Sequence, residues 1–329
     1  MRFVHVSGDG ALSLQTAPDP SPGPGELLLD VRASGVNRAD LMQRAGLYPP
    51  PPGASPVLGL ECAGIVLAVG EGVEGFCVGD PVCALLAGGG YADRVVCDAR
   101  VCLPLPEGLG FVEGAGVLEV FTTAWLNLKE EGALAPGERV LVWAAASGVG
   151  TAALQLCEAW GNPVWAVASG PKLKFCLDLG AAGATDRRAG DLSADLRAFT
   201  DGRGVDVILD PVGASALDTN LRALAVGGRL VLIGLLGGRE AQIDLGRVLM
   251  KRLRIQGSTL RGRSAEEKGR LLTTMRQALW PSFADGRLRP ILDRVVPVAE
   301  VEKALDYVAS DRSVGKVVLS WDDAALEVA

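Results

Sequence analysis

One passage, Val140 to Trp160, constrains the fold of this chain more than any other. Val140–Trp143 is an apolar, strand-like run. It passes through Ala144-Ala145-Ala146-Ser147-Gly148-Val149-Gly150-Thr151 into an apolar, helix-like run, Ala152–Trp160. Small residues at Ala145, Ser147, Gly148 and Gly150 permit a tight turn and a close backbone approach. Free N–H groups at the start of the following helix then suit the pyrophosphate of a dinucleotide. The pattern is AxxGVG rather than GxGxxG, so its weight comes from its place between strand and helix. Ser147, Gly148, Gly150, Thr151 and Gln155 interrupt the apolar run. It therefore does not read as a membrane span of about 20 apolar residues, and no membrane association is expected.

Around this passage the chain alternates. Strands are predicted at Arg139–Trp143, Pro163–Ala168, near Ala184, and at Val205–Asp210, Arg229–Gly234 and Arg254–Ser258. Helices are predicted at Val149–Trp160, Lys172–Leu179, Leu192–Phe199 and Ser215–Leu224. Apolar strands separated by amphipathic helices imply an α/β unit with a doubly wound parallel sheet covered on both faces. Residues 1–110 instead read as β-rich, with runs at Glu26–Ala33, Val57–Val69, Pro81–Leu86, Tyr91–Cys97 and Val101–Leu103, and one short helix, Arg38–Arg44. After residue 262 come a helix (Ala265–Ala284), a strand near Arg294–Pro297, a helix (Ala299–Ala309) and a strand, Lys316–Ser320. These are too few for a domain and are expected to return to the β-rich unit. The expected division is 1–119 with 263–329, and 120–262.

With 329 residues and 49% hydrophobic content, the chain is long enough for two cores. Its formal charge of −7 argues against a nucleic-acid partner. The basic residues Lys251, Arg252, Arg254, Arg261 and Arg263 read as a solvated helix end and strand edge. Seven cysteines without a CxxC pair exclude a zinc ribbon and a disulfide framework. They fit a reducing cytosol, and Met1-Arg2-Phe3-Val4-His5-Val6 does not read as a signal peptide, so a cytoplasmic location is expected.

Cofactor choice follows from the second strand of the parallel unit. An enzyme that uses NAD places an acid about 20 residues past the turn, on the ribose 2′-hydroxyl. Here the strand ends Ala166-Val167-Ala168-Ser169-Gly170-Pro171-Lys172, with no acid. Ser169 can donate a hydrogen bond to a 2′-phosphate, Lys172 can supply charge, and Arg187 can add more. NADPH is the expected cofactor.

His5 is the sole histidine, which excludes a Ser-His-Asp triad and a His-rich metal site. Acid–base work falls to Tyr48, Glu61, Asp40, a lysine or solvent. Alcohol oxidation needs a base or Lewis acid to take the hydroxyl proton. Reduction of an electron-poor quinone or enone does not, because its oxygen can be protonated by water.

Several motifs together resemble one family. They are Val36-Asn37-Arg38-Ala39-Asp40-Leu41-Met42-Gln43-Arg44, the Gly46–Pro52 segment with Tyr48 and four prolines, Leu58-Gly59-Leu60-Glu61-Cys62-Ala63-Gly64, Ala145–Gly150, and Val314-Gly315-Lys316-Val317-Val318. The chain is similar to the zinc-free quinone oxidoreductase branch of the medium-chain dehydrogenases/reductases, and to its p53-inducible quinone oxidoreductase subgroup. That resemblance implies a GroES-like catalytic domain plus a Rossmann domain, with the cofactor in the cleft between them. It also implies a homodimer or homotetramer built by pairing the strand near Arg254–Ser258 across subunits.

Position by position, the resemblance places Asn37 and Tyr48 by the nicotinamide and substrate, and Thr123 on the nicotinamide ribose or carboxamide. Ser169 and Lys172 match the 2′-phosphate binders, while Arg187 stands where the family usually has tyrosine. Gly234, Leu235, Leu236 and Leu260 flank the nicotinamide, and Ser313 stands where asparagine is common. Ala146, Ser147, Gly148, Val149, Gly150 and Lys316 complete the expected cofactor set. Asn37 also suits the cap of the Arg38–Arg44 helix, and Thr123 a helix start. Zinc members of the superfamily carry Cys where Asn37 stands and His where Leu60 stands, and they add a four-cysteine lobe missing here, so no metal is expected. The activity implied is NADPH-dependent quinone reduction without metal or flavin. Two alternatives are an NADPH-dependent enone or 2-alkenal (enoyl) reductase and a non-catalytic NADPH-sensing protein.

Overall fold

The computed structural model describes residues 1–322. The chain divides into two compact units, Met1–Thr122 with the segment from Leu260 onward, and Thr123–Thr259. The division falls within a helix at 122/123 and at 259/260, where the sequence suggested 119/120 and 262/263.

The first unit opens with β1 (Arg2–Val6) and β2 (Leu12–Thr16), an antiparallel pair. It continues through β3 (Glu26–Val36), α1 (Arg38–Arg44), β4 (Glu61–Val69), β5 (Pro81–Leu85), β6 (Arg94–Asp98) and β7 (Cys102–Pro104) to α2 (Phe111–Gly114) and α3 (Leu118–Trp125). The long strand β3 organises the unit. Its alternation buries Leu27, Leu29, Val31 and Ala33 on one face, as a half-buried strand requires. The first half of β3 pairs with β6, and β4 runs along it.

The predicted strand Val57–Val69 starts only at Glu61. Gly59 sits at φ +99°, where a Cβ would meet Tyr91 at 2.6 Å, and its N–H is diverted to Asp40 Oδ1 at 3.2 Å. The predicted Tyr91–Cys97 strand likewise shifts to Arg94–Asp98.

The second unit contains β8 (Val140–Trp143), α4 (Gly148–Trp160), β9 (Val164–Ala168), α5 (Leu173–Asp178), β10 (Gly183–Asp186), α6 (Leu192–Phe199), β11 (Val205–Asp210), α7 (Leu217–Ala223), β12 (Leu224–Leu232), α8 (Leu245–Lys251) and β13 (Arg254–Gly257). Its six strands are all parallel, in the order β10-β9-β8-β11-β12-β13. This is the doubly wound order, with its reversal between β8 and β11. Leu141, Val167, Ile208 and Leu230 form the centre of its core. The edge strand β13 departs from the apolar expectation, since all four of its residues are exposed.

The chain then returns to the first unit with α9 (Ala265–Ala284), β14 (Leu292–Pro297), α10 (Val301–Ala309) and β15 (Lys316–Ser320). β15 pairs antiparallel with the last part of β3, giving the order β14-β15-β3-β4-β5-β7. The β-rich unit is thus built from both ends of the chain.

The basic residues read as solvated are partly structural. Arg261 is 4% exposed, and Lys251 donates to the carbonyls of Arg222 (2.8 Å) and Leu224 (2.6 Å) at the end of α7. A cation at a helix C-terminus satisfies carbonyls that have no intrahelical partner.

Candidate active site

The β-rich unit gathers its polar side chains where β3, β4, α3 and β15 meet. Lys316, at the start of β15, is buried with its ammonium fully used. It donates to Val36 O at 2.7 Å and Asn37 Oδ1 at 2.8 Å, and pairs with Glu61 Oε1 at 2.7 Å. Three N–H donors thus meet three acceptors. The Asn37 amide bridges the pair, because its Nδ2 also donates to Glu61 Oε1 at 3.1 Å. The other Glu61 oxygen accepts the backbone N–H of Glu119, on α3, at 2.9 Å. Room for this carboxylate depends on Gly35. A Cβ there would lie 2.3 Å from Ala115 O and 2.5 Å from Glu61 Oε1.

Asn37 stands at the N-cap position of α1 and, as expected for a cap site, its backbone N–H donates to Asp40 Oδ2 at 2.8 Å. Its side chain reaches the ion pair. Asp40 also accepts from the Tyr91 hydroxyl at 2.9 Å, and its complete burial pushes its carboxyl up to about 6.

Tyr48 is half-buried on the loop after α1. Arg261 holds that loop: its guanidinium lies 5.2 Å from the Tyr48 ring centroid and donates to Tyr48 O (3.1 Å), Ala87 O (2.8 Å) and Gln43 Oε1 (2.6 Å). Burial and the charge of Glu119 raise the Tyr48 phenol. Glu119 is itself half-buried, and burial followed by repulsion from Glu61 pushes its carboxyl up to about 8. Glu119 went unnoticed in the sequence, and Arg261 was read there only as a solvated basic residue. A lone acid inside the apolar run Ala115–Ala124 was the available signal for Glu119.

In the parallel unit, Ser147 caps α4 and accepts from the Gly150 N–H at 3.1 Å. The N–H groups of Gly148 and Val149 make no hydrogen bond among the described residues, so two donors remain at a helix start. Gly150 admits the close turn, since a Cβ there would meet Ala144 O at 2.5 Å. Ala146 is buried.

Ser169, Lys172 and Arg187 gather at the ends of β9 and β10, where Arg187 N donates to Ala168 O at 2.8 Å. An acid that the sequence reading passed over lies with them. A Cβ on Gly170 would meet Asp186 Oδ2 at 2.7 Å. Asp186 arrives from the neighbouring strand, and counting residues past the turn therefore missed it. At the reversal, Asp210 ends β11 fully buried, accepting from Val212 N, Gly213 N and Asn220 Nδ2, and burial raises its carboxyl.

The remaining expected cofactor residues divide between the units. Thr123 lies inside α3 rather than at a helix start, and its carbonyl accepts Asn127 Nδ2 at 2.7 Å. Gly234, Leu235 and Leu236 follow β12, with both leucines more than half exposed. Leu260, Ser313 and Lys316 belong to the β-rich unit, and Leu260 is buried. Lys316 has no ammonium N–H left for a cofactor, because all three are taken within its own unit.

Comparison with known proteins agrees with this architecture. Residues 23–107 match the alcohol dehydrogenase GroES-like domain, and residues 148–276 match the zinc-binding dehydrogenase family. The chain is 32% identical over 339 residues to the synaptic vesicle membrane protein VAT-1 homolog of Mus musculus, covering 97% of this chain and 83% of that protein. It is 37% identical over 323 residues to the pikromycin polyketide synthase component PikAII of Streptomyces venezuelae, covering 95% of this chain but spanning only 8% of that protein's length.

Among solved structures, an NAD-dependent alcohol dehydrogenase superposes with a TM-score of 0.86 at 31% identity, covering 98% of this chain and 100% of the other. The CurK enoyl reductase gives 0.84 at 29%, covering 97% and 98%. The chain belongs to the medium-chain dehydrogenase/reductase superfamily, oxidoreductases that use a nicotinamide cofactor, with a GroES-like unit and a Rossmann unit. The free N–H groups at the start of α4 fit the pyrophosphate of that cofactor.

The name of one matched family raises the question of zinc. The residues here do not fit it. Leu60 offers no ligand, and Asn37 and Glu61 are already bound to an ammonium whose charge opposes a second cation. Among the described residues, no group of three or more His, Cys, Asp or Glu side chains suits a metal. Among the same residues, no helix is long and apolar enough to cross a membrane.

Proposed function

We propose that this protein reduces quinones with NADPH, without metal or flavin. One observation carries the reading: the polar centre of the β-rich unit offers no free base. Glu61 is neutralised by Lys316, Asp40 is spent on Asn37, Gly59 and Tyr91, and Glu119 is held towards its acid form. Such a site is poorly equipped to strip the proton from an alcohol and well suited to an acceptor that takes hydride readily. Ser169, Lys172 and Arg187 support NADPH, because a hydroxyl and two cations against the single carboxylate of Asp186 leave this corner net positive towards a 2′-phosphate. The seven free cysteines support a reducing, cytoplasmic setting.

A second reading, NADPH-dependent reduction of enones, is favoured by the likeness to the CurK enoyl reductase. Steady-state oxidation of NADPH with a quinone panel beside an enone panel separates the two. Enone turnover without quinone turnover reverses their order. Tight NADPH binding with no turnover of either points instead to a nucleotide sensor.

The exposed edge β13, with Leu245, Leu249 and Met250 of α8 exposed nearby in the chain, supports a homo-oligomer formed by pairing β13 with its copy. Light scattering tests that assembly.

A further inference from the structure

We propose that Cys97 and Cys102 are a redox pair, which hydrogen peroxide closes into a reversible disulfide fastening the end of β6 to the start of β7. Neither thiol takes part in the activity proposed above, and both belong to the β-rich unit.

The two sulfurs already touch. Cys97 Sγ lies 3.3 Å from Cys102 Sγ, and both residues are buried. A disulfide needs about 2 Å, so a shift of about 1 Å closes the gap. The cysteines flank a single 3-10 turn, Ala99–Val101, that is fixed by its surroundings. Asp98 caps it, its carboxylate accepting Arg100 N at 2.9 Å, and Ala99 N donates to Gly25 O at 3.0 Å. In the sheet, Cys97 stands opposite Leu27 of β3, and Cys102 opposite Ala84 of β5. The sheet therefore imposes the approach of the sulfurs. Their C-x4-C spacing is not a CxxC pattern, and it is the turn that brings them together.

What the bond would join is a seam. β6 pairs with β3 and β7 pairs with β5, but among the described residues no ladder connects β6 to β7. A covalent link would complete the circuit β3-β4-β5-β7-β6. Two further thiols, Cys62 on β4 and Cys83 on β5, lie close enough to influence Cys102, but both are completely buried.

Access runs through the turn. The Arg100 side chain is 59% exposed, and residues 98–100 line a surface groove with Val73 and Phe76. Local opening of such a turn admits a small oxidant. Cys97, 8% exposed against 3% for Cys102, is the sulfur it meets first. The Cys102 thiol is raised by its hydrogen bond with Cys97 and then by burial, so it keeps its proton and suits the second step. In the first step the Cys97 sulfur gives up its proton and attacks one peroxide oxygen. An S–O bond forms, the O–O bond breaks, and water leaves. The Cys102 sulfur then displaces the hydroxyl of this sulfenic acid: an S–S bond forms, the S–O bond breaks, and the Cys102 proton departs in a second water. Two thiols thus pass two electrons to one hydrogen peroxide. A dithiol reductant restores the pair by exchange.

The test treats the reduced full-length protein with hydrogen peroxide, blocks the remaining thiols with iodoacetamide, and maps tryptic peptides without reduction. Trypsin cuts after Arg94 and Arg100, so the bond would join the peptide Val95–Arg100 to the one that begins at Val101. That cross-linked species should appear in the folded wild type and vanish on treatment with dithiothreitol. It should be absent when the protein is oxidised after unfolding in urea at the same dilution, or sharply reduced, because the sheet no longer holds the sulfurs together. Closing so short a loop should also raise the thermal midpoint of the wild type by about 4–8 °C, and oxidation should leave that of Cys97→Ser where it was. Thiols that all remain open to alkylation overturn the proposal. So does a disulfide that runs through the exposed Cys77 or through Cys62 or Cys83 instead, or a bond that leaves the midpoint unmoved. If Cys97→Ser does not fold, Cys102→Ala takes its place, and the wild-type peptide map decides without either.

Discussion

Replacing Lys316 by methionine tests the buried centre most directly. Methionine roughly matches lysine in length, so the change removes the charge and keeps most of the volume. It strands a Glu61 carboxylate that is 0% exposed, and it leaves Val36 O and Asn37 Oδ1 without the ammonium. Removing one partner of a buried pair costs about 3–5 kcal/mol, because the other charge stays desolvated. With a urea dependence of about 2 kcal/mol per molar, a loss of about 4 kcal/mol lowers the unfolding midpoint by about 2 M. Hydrogen exchange of the β3 and β15 amides during the titration assigns the transition to the GroES-like unit. The double variant Lys316→Met/Glu61→Gln should recover part of the loss, since no charge is then left unpaired. A loss under about 1 kcal/mol, the scale of an exposed pair, would refute the reasoning. So would a double variant less stable than Lys316→Met alone.

Other expectations follow from the same geometry. Lys172→Ala should weaken NADPH by about 1.5–3 kcal/mol, as for loss of a charged hydrogen bond, and NADH much less. Equal losses in paired binding titrations remove Lys172 from the 2′-phosphate. Gly35→Ala should cost about 1–3 kcal/mol by forcing apart Ala115 O and Glu61, and a thermal midpoint equal to wild type contradicts that. Asp40 is raised from 3.8 to about 6, so the folded protein holds a proton that the unfolded chain releases. Its stabilising contribution is therefore fullest below pH 3.8 and is lost as pH rises to about 6. Asp40→Asn should flatten that part of the stability profile, and an unchanged slope assigns the dependence elsewhere.

The parallel unit was legible because its signals are local. Val205–Asp210 and Leu192–Phe199 fall where periodicity placed them, and the α4 turn keeps its small residues for steric reasons seen at Gly150. Elements with mixed polarity were harder to see. β2 is almost wholly exposed, α8 has no buried residue, and neither carries a core-facing pattern for sequence reading to find. The site was partly legible. Asn37 and Tyr48 stood out, but the partners that define them come from residues 61, 119, 261 and 316, which only the tertiary fold brings together. Asp186 shows the same limit, since it reaches Gly170 from the adjacent strand. Lys316 was expected at the cofactor. Its burial against Glu61 could not be read from the glycine and valines beside it.

The pairing of β15 with β3 also has a temporal side. Residue 316 leaves the ribosome long after residue 61, and the whole Rossmann unit is made in between. Until then Glu61 waits without its counterion. The nucleotide-type half can mature while the chain is still growing, whereas the half bearing Asn37 and Tyr48 must wait for its closing strand. Nascent chains stopped short of β15 should therefore display a Rossmann core joined to an unfinished partner, and competence would arrive abruptly, once residues 316–320 emerge.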